Sequence, residues 1–91
     1  MRIFFKISGG VQGIGYRWFA RDTAAKHALT GLVRNRRDGS VEGEAQGEKK
    51  AIEAFILEIR TGHPRAEISG AQTREMEEKK GEKDFIITLS D

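Results

Sequence analysis

Hydrophobic residues alternate with polar ones in some stretches of the chain and recur at helical spacing in others. Alternation over residues 2–8 predicts a strand with one buried face. Two further alternating stretches, residues 29–36 and 40–47, flank Asp38-Gly39, a pair typical of a hairpin turn. Apolar stripes at three- and four-residue spacing predict helices over residues 16–28 and 48–61. The pattern up to residue 61 therefore predicts strand, helix, strand, strand, helix.

The last third of the chain adds two predicted strands. One begins near Ala66 and weakens towards Met76, and the other alternates from Phe85 to Leu89. Between them, residues 75–84 form a charged run that we interpret as a solvated loop. The order β-α-β-β-α-β plus a short C-terminal strand predicts an α+β fold. We expect a ferredoxin-like two-layer sandwich, an antiparallel sheet with two helices on one face.

This fold brings two distant segments together. The first and second strands run parallel with the third between them, so their carboxyl ends reach the same edge of the sheet. Residues 9–17 follow one of these ends, and Asn35 lies at the other. Ligands commonly bind at the carboxyl ends of strands. The other sheet face carries charged residues such as Arg34 and Glu42, so we expect it to be wet and to hold cross-strand pairs.

Composition narrows the class of protein. At 91 residues, 37% of them hydrophobic and 33% charged, the chain predicts one globular domain, residues 1–91. No apolar run approaches the roughly 18 residues of a membrane span, and residues 1–8 do not resemble a secretion signal. We therefore expect a cytoplasmic protein without a membrane partner. The chain has no cysteine, and its histidines and carboxylates lack metal-site spacing, so we expect neither metal nor cofactor.

A glycine-rich segment leads into the first predicted helix. Residues 9–15 include four glycines, in a chain with a net charge of +2. Backbone N–H groups and the positive end of the helix dipole then point at one spot, which favours an anion. Glycines also serve turns without any ligand, so both interpretations stay open. The spacing is neither GxxxxGK[ST] nor GxGxxG, which argues against nucleoside triphosphates and dinucleotides.

Two polar residues beside this segment are candidates for chemistry. Arg17 falls in the first helical turn, where the dipole disfavours a cation by ~0.3 to 1 kcal/mol. Facing a phosphate, it would form charge-assisted hydrogen bonds of roughly 1.5 to 3 kcal/mol, but without ligand it can pair with Asp22 or solvent. Asn35 precedes the predicted turn, where asparagine often bonds its own backbone. Both residues keep a structural and a functional interpretation.

Two motifs in the first half of the chain are recognisable. The run Gly9-Gly10-Val11-Gln12-Gly13-Ile14-Gly15-Tyr16-Arg17 resembles the signature of the acylphosphatase family. Residues 31–35, 38–43 and 46–47 resemble the family's second motif, at the family's distance from the first. The resemblance is strong over residues 9–47 and slight after Ser69. Arg36 and Gly15 depart from it, because the family often has threonine and a bulkier residue there.

The resemblance implies the ferredoxin-like fold and hydrolysis of acyl phosphates, small molecules in which a carboxyl group is joined to phosphate. It implies that Asn35 positions the attacking water and that no metal takes part. A carboxylate leaves with little proton donation, which fits the lack of a recognisable general acid. We expect a monomer. The phosphate would be held by Arg17 and the loop amides of Val11, Gln12, Gly13, Ile14, Gly15 and Tyr16.

The alternative is a phosphate- or nucleic-acid-binding ferredoxin-like module without hydrolase activity. Sheets of this kind can stack bases on aromatic side chains, and arginines can contact phosphates. The first strand, however, offers only Phe4 on the outer face. The third strand offers Glu42, Glu44 and Gln46 there, and its carboxylates repel a phosphate backbone. We therefore expect no nucleic-acid partner.

Overall fold

The computed structural model describes residues 1–90, which form seven elements in the predicted order. Their ends lie within two residues of the predicted ones, and β1 continues through Gly10, which shortens the glycine loop to residues 11–15. Within residues 1–90, neither helix is long and apolar enough to cross a membrane. The elements are β1 Arg2–Gly10, α1 Tyr16–Lys26, β2 Thr30–Asn35, β3 Val41–Gln46, α2 Lys49–Thr61, β4 Glu67–Met76 and β5 Phe85–Ile87.

The strands form one sheet in the order β4-β1-β3-β2-β5. β3 is antiparallel to both β1 and β2, so these two strands run parallel to each other, as the fold prediction required. β4 adds to the free edge of β1 and is also antiparallel. β5 adds to the free edge of β2 and runs parallel to it. The sheet is therefore mixed, and the prediction of a wholly antiparallel sheet was wrong at this one pair.

The path of the chain explains the parallel pair. β4 ends with Met76 opposite Arg2, at the end of the sheet where β1 and β2 begin. Residues 77–84 cross this end, where the Lys79 backbone N–H and carbonyl both bond the side chain of Gln46. β5 then starts opposite Gly31, near the beginning of β2. Because it starts at the same end of the sheet as β2, it runs in the same direction.

The core lies between the sheet and the two helices. From β1, Phe5 is completely buried and meets Phe55 of α2 edge to face, with ring centroids 5.4 Å apart. β3 passes close beneath it at Gly43. A Cβ atom there would lie 2.6 Å from the Phe5 ring and 2.1 Å from the Leu32 carbonyl oxygen. Glycine is required at this position because no side chain fits between the strand and the ring.

The charge run before β5 predicts a solvated loop, but the structure shows that part of this segment is held by an ion pair. Glu82 accepts hydrogen bonds of 2.8 and 3.2 Å from the Arg2 guanidinium. Arg2 is 0% exposed and also donates to Glu44 at 2.9 Å. Hydrogen bonding to Arg2 lowers the pKa of Glu82 below its ordinary value. This buried ion pair fastens the segment to the beginning of β1.

The predicted cross-strand pairs on the outer sheet face are confirmed at Glu42. Its carboxylate accepts hydrogen bonds of 2.8 Å from Arg34 and from Arg36. Burial raises the pKa of Glu42, but the two guanidinium groups outweigh burial and leave the pKa below its ordinary value. Glu42 is only 5% exposed, so the outer face is drier than the alternation of residues predicted. Arg36, a departure from the family pattern, is engaged in this pair.

Candidate active site

The sheet register places the two predicted site segments side by side. Ile7 in β1 and Asn35 in β2 both lie opposite Val41 of β3. They are therefore two strand spacings apart, roughly 10 Å. The loop of residues 11–15 follows β1 beyond Ile7, at the same edge of the sheet. The topology thus joins regions about 20 positions apart in the sequence, as predicted.

The loop leads into α1. The Val11 N–H donates to the Gly9 carbonyl at 3.1 Å, so the prediction that this amide holds an anion does not fit, whereas the N–H groups of residues 12–15 make no such backbone bond within residues 1–90. Gly13 and Gly15 have φ values of 79° and 76°, a left-handed conformation that glycine adopts without strain. Gly15 caps the helix without a side chain, and the first turn contains no acidic residue. The first backbone bond of the helix runs from the Phe19 N–H to the Gly15 carbonyl. The earlier N–H groups of the turn have no intrahelical partner and can donate to an anion.

Arg17 lies in this first turn and is half-buried. Within residues 1–90 its guanidinium has no ion-pair or hydrogen-bond partner. The pairing with Asp22 that sequence reasoning left open is instead made by Arg21, at 3.2 Å. A cation at the positive end of a helix without a compensating carboxylate is unfavourable. An anionic ligand would remove this cost.

Asn35 ends β2, where it lies opposite Val41 of β3, and its side-chain amide has no hydrogen-bond partner among residues 1–90. The turn after it is closed by other groups, because Asp38 accepts hydrogen bonds from the Ser40 N–H at 2.9 Å and the Ser40 hydroxyl at 2.6 Å. These bonds, and one from Lys6, lower the pKa of Asp38. Asp38 therefore performs the backbone-capping role that the sequence also allowed for Asn35. The Asn35 amide is left available to a ligand or a water molecule.

Gln12 connects the loop to the hairpin. Its Nε2 amide donates to the carbonyl oxygens of Arg36 at 2.8 Å and of Ser40 at 2.9 Å. From the sequence we predict a role only for the backbone amide of Gln12. The side chain instead bridges both arms of the turn that follows Asn35. The identity of the residue, an amide with two donors, was the only sequence signal for this bridge.

Tyr16 supports the loop from inside the core. It is 2% exposed, and its hydroxyl donates to the Ile59 carbonyl of α2. Burial raises the pKa of the Tyr16 phenol. The hydroxyl is therefore neutral and already bonded, so only the backbone N–H of Tyr16 can serve a ligand.

His63 also holds the loop, a role that sequence analysis did not assign to it. Its Nδ1 accepts a hydrogen bond from the Arg65 N–H at 3.1 Å. This bond leaves Nε2 as the protonated nitrogen, which donates to the Ile14 carbonyl at 3.0 Å. The ring packs edge to face against Phe19, with centroids 5.2 Å apart. Nothing in the residue spacing links position 63 to position 14, so only the fold could identify this contact.

The fold and the site define a ferredoxin-like α+β domain with a glycine-rich loop, an arginine at the start of its first helix and an asparagine at the end of the neighbouring parallel strand. The sequence profile of the family described as Acylphosphatase matches residues 3–87. The chain belongs to the acylphosphatase family.

Individual relatives agree in sequence and in structure. An acylphosphatase of Bacillus licheniformis is 39% identical over 82 residues, which cover 90% of this chain and 91% of the relative. An acylphosphatase of Rhizobium etli is 42% identical over 83 residues, or 91% and 88% of the two chains. The crystal structure of acylphosphatase from Bacillus subtilis matches with a TM-score of 0.90 and 32% identity, covering 96% of this chain and 97% of that chain. The predicted activity, hydrolysis of acyl phosphates, is confirmed, and the non-hydrolytic binding module is not favoured.

Proposed function

We propose that Arg17 and the backbone amides from Gln12 to Tyr16 hold the phosphate of an acyl phosphate while Asn35 orients the attacking water. The observation that carries this assignment is the bridge from Gln12 to the Arg36 carbonyl. It draws the loop against the residue next to Asn35. The side chains of Arg17 and Asn35 have no partners within residues 1–90. Arg17 follows the loop at the start of α1, and Asn35 directly precedes Arg36 at the end of β2.

The proposed reaction is a direct displacement at phosphorus. The water oxygen forms a bond to phosphorus as the bond between phosphorus and the acyl oxygen breaks. The carboxylate leaves with the electron pair of that bond. One water proton stays on the new P–OH group, and the other passes to a phosphate oxygen of the substrate. The products are a carboxylate and dihydrogen phosphate, and the protein neither gains nor loses a proton.

The groups around the site suit such a mechanism. A carboxylate is a good leaving group, so the main needs are alignment of the water and stabilisation of charge on the phosphate oxygens. The Tyr16 hydroxyl is bonded inside the core and its pKa is raised, so it is not offered as an acid. A guanidinium and a set of backbone amides instead provide fixed donors. We propose on this basis that turnover requires no metal ion.

The central experiment measures hydrolysis of benzoyl phosphate with excess chelator by wild type, Arg17→Gln and Asn35→Ala, each checked for folding by circular dichroism. Arg17→Gln should lose about a hundredfold or more in kcat/KM and should no longer be inhibited by inorganic phosphate. Asn35→Ala should lose kcat but keep its inhibition by phosphate, because it removes only the water-orienting amide. Arg60→Gln, at an exposed arginine of α2, is the matched control and should behave as wild type.

Two results would contradict the assignment. Equal inhibition of wild type and Arg17→Gln by phosphate would remove Arg17 from the phosphate site. Loss of turnover in chelator, restored by a divalent cation, would show that a metal takes part.

We also propose a monomeric, single-domain, cytoplasmic protein. Equilibrium sedimentation tests the monomer, and localisation of the tagged chain tests the cytoplasmic location.

A further inference from the structure

A groove beside the proposed phosphate site is not used by the mechanism above. It has a volume of about 430 Å³ and lies between the first turns of α1 and strand β5. This volume is within the range of small-molecule sites, about 300 to 1,000 Å³. Its lining residues are Arg17, Trp18, Arg21, Phe85, Ile86 and Ile87.

The two sides of the groove expose large apolar side chains to water. Trp18 on α1 is 56% exposed, and Ile86 on β5 is 51% exposed. A ligand that covers such apolar surface removes it from water, which favours binding. Exposed apolar patches often mark ligand grooves. The chemistry of the lining favours an apolar group with a flat or branched shape.

The Trp18 indole is exposed to water, but a neighbouring side chain holds its ring in position. The Arg21 guanidinium lies over its ring, 4.2 Å from the centroid, and Arg21 also pairs with Asp22 at 3.2 Å. Stacking of this type fixes the ring, while Asp22 balances the charge of Arg21. The aromatic wall is therefore held in place before a ligand arrives, which lowers the entropic cost of binding.

The presence of Arg17 in the lining indicates which part of the substrate the groove binds. Arg17 is the proposed phosphate ligand, and it also lines the groove. Because Arg17 lines the groove, a substrate whose phosphate binds to Arg17 lies next to this apolar surface. We propose that the groove binds the acyl group and makes the enzyme select acyl phosphates with aromatic or branched apolar acyl groups over acetyl phosphate. This inference rests on the proposed placement of the phosphate at Arg17.

The test compares kcat/KM for benzoyl phosphate and acetyl phosphate, each divided by the uncatalysed hydrolysis rate of the same substrate. Wild type should prefer benzoyl phosphate by about tenfold or more, the scale on which apolar pockets discriminate. Trp18→Ala and Ile86→Ser should reduce this preference to about threefold or less through a higher KM for benzoyl phosphate. Both variants should keep kcat/KM for acetyl phosphate within about twofold, and Trp18→Phe should retain most of the preference.

Leu57→Ala is the control, because Leu57 is 60% exposed on α2 and does not line this groove. It should leave the preference unchanged. If folded wild type hydrolyses both substrates with equal normalised efficiency, or if Trp18→Ala and Ile86→Ser keep the full preference, the groove does not bind the acyl group. That result leaves the phosphate site intact. A different result would contradict the placement of the phosphate at Arg17: Arg17→Gln would still bind phosphate while the two groove variants lose the preference. The groove would then bind the acyl group of a substrate whose phosphate is held by other residues.

Discussion

Removing the Gln12 side chain tests whether the loop must be tied to the hairpin for catalysis. The side chain makes two hydrogen bonds, of 2.8 and 2.9 Å, to carbonyl oxygens on both arms of the turn. Each such bond between neutral groups contributes about 0.5 to 1.5 kcal/mol, and one of these two is solvent-exposed. Gln12→Ala should therefore weaken the link between loop and hairpin by about 1 to 2 kcal/mol, which corresponds to a factor of roughly 5 to 30.

The assay separates alignment from phosphate binding. Gln12→Ala leaves the loop amides and Arg17 in place but frees the loop to move relative to Asn35. The kcat for benzoyl phosphate should fall by roughly 5- to 30-fold, while the inhibition constant of inorganic phosphate should change by about twofold or less. Gln12→Glu should be slower still, because a carboxylate cannot donate to the two carbonyls and repels both them and the bound phosphate.

Gln72→Ala provides the control, since Gln72 is an exposed glutamine of β4. It should leave kcat, phosphate inhibition and stability unchanged. An unchanged kcat in Gln12→Ala would contradict this role of Gln12, because it would show that the loop and the hairpin stay aligned without the bridge. A parallel loss of kcat and of phosphate inhibition would also contradict it, since the variant would then have damaged the phosphate site itself.

Two further predictions concern the supports of the site. Tyr16→Phe should lower the free energy of unfolding by about 1 kcal/mol and Tm by roughly 4 to 8 °C, with activity kept, because the buried Ile59 carbonyl loses its donor; calorimetry showing an unchanged Tm would contradict this. The lowered pKa of Glu82 means that its ion pair with Arg2 stabilises the fold above the unfolded-state pKa and is lost as the pH falls through the folded-state pKa. Urea unfolding from pH 7 to pH 3 should therefore show a shallower loss of stability in Glu82→Gln than in wild type, and Glu77→Gln, at an exposed residue, should follow wild type.

Several parts of the fold followed from the sequence alone. Alternation in residues 2–8, the Asp38-Gly39 pair and the two apolar stripes depend on interactions within a few residues, so their elements appear within two residues of the predicted ends. The strand order then placed the glycine loop and Asn35 at one edge of the sheet, and β3 does lie between β1 and β2. The roles of Arg17 and Asn35 came from the family resemblance and stay predictions.

The pairing of groups that are distant in the sequence depends on the tertiary structure. Glu82 and Arg2 are 80 positions apart. Gln12 lies 24 and 28 positions from its two partners in the hairpin, and His63 lies 49 positions from its partner in the loop. No local pattern encodes such contacts, because each depends on how strands and loops are arranged around the sheet. The direction of β5 was missed for the same reason. The direction of β5 depends on the end of the sheet at which residues 77–84 cross. The charge run in this segment does not reveal that one of its residues pairs with a buried arginine.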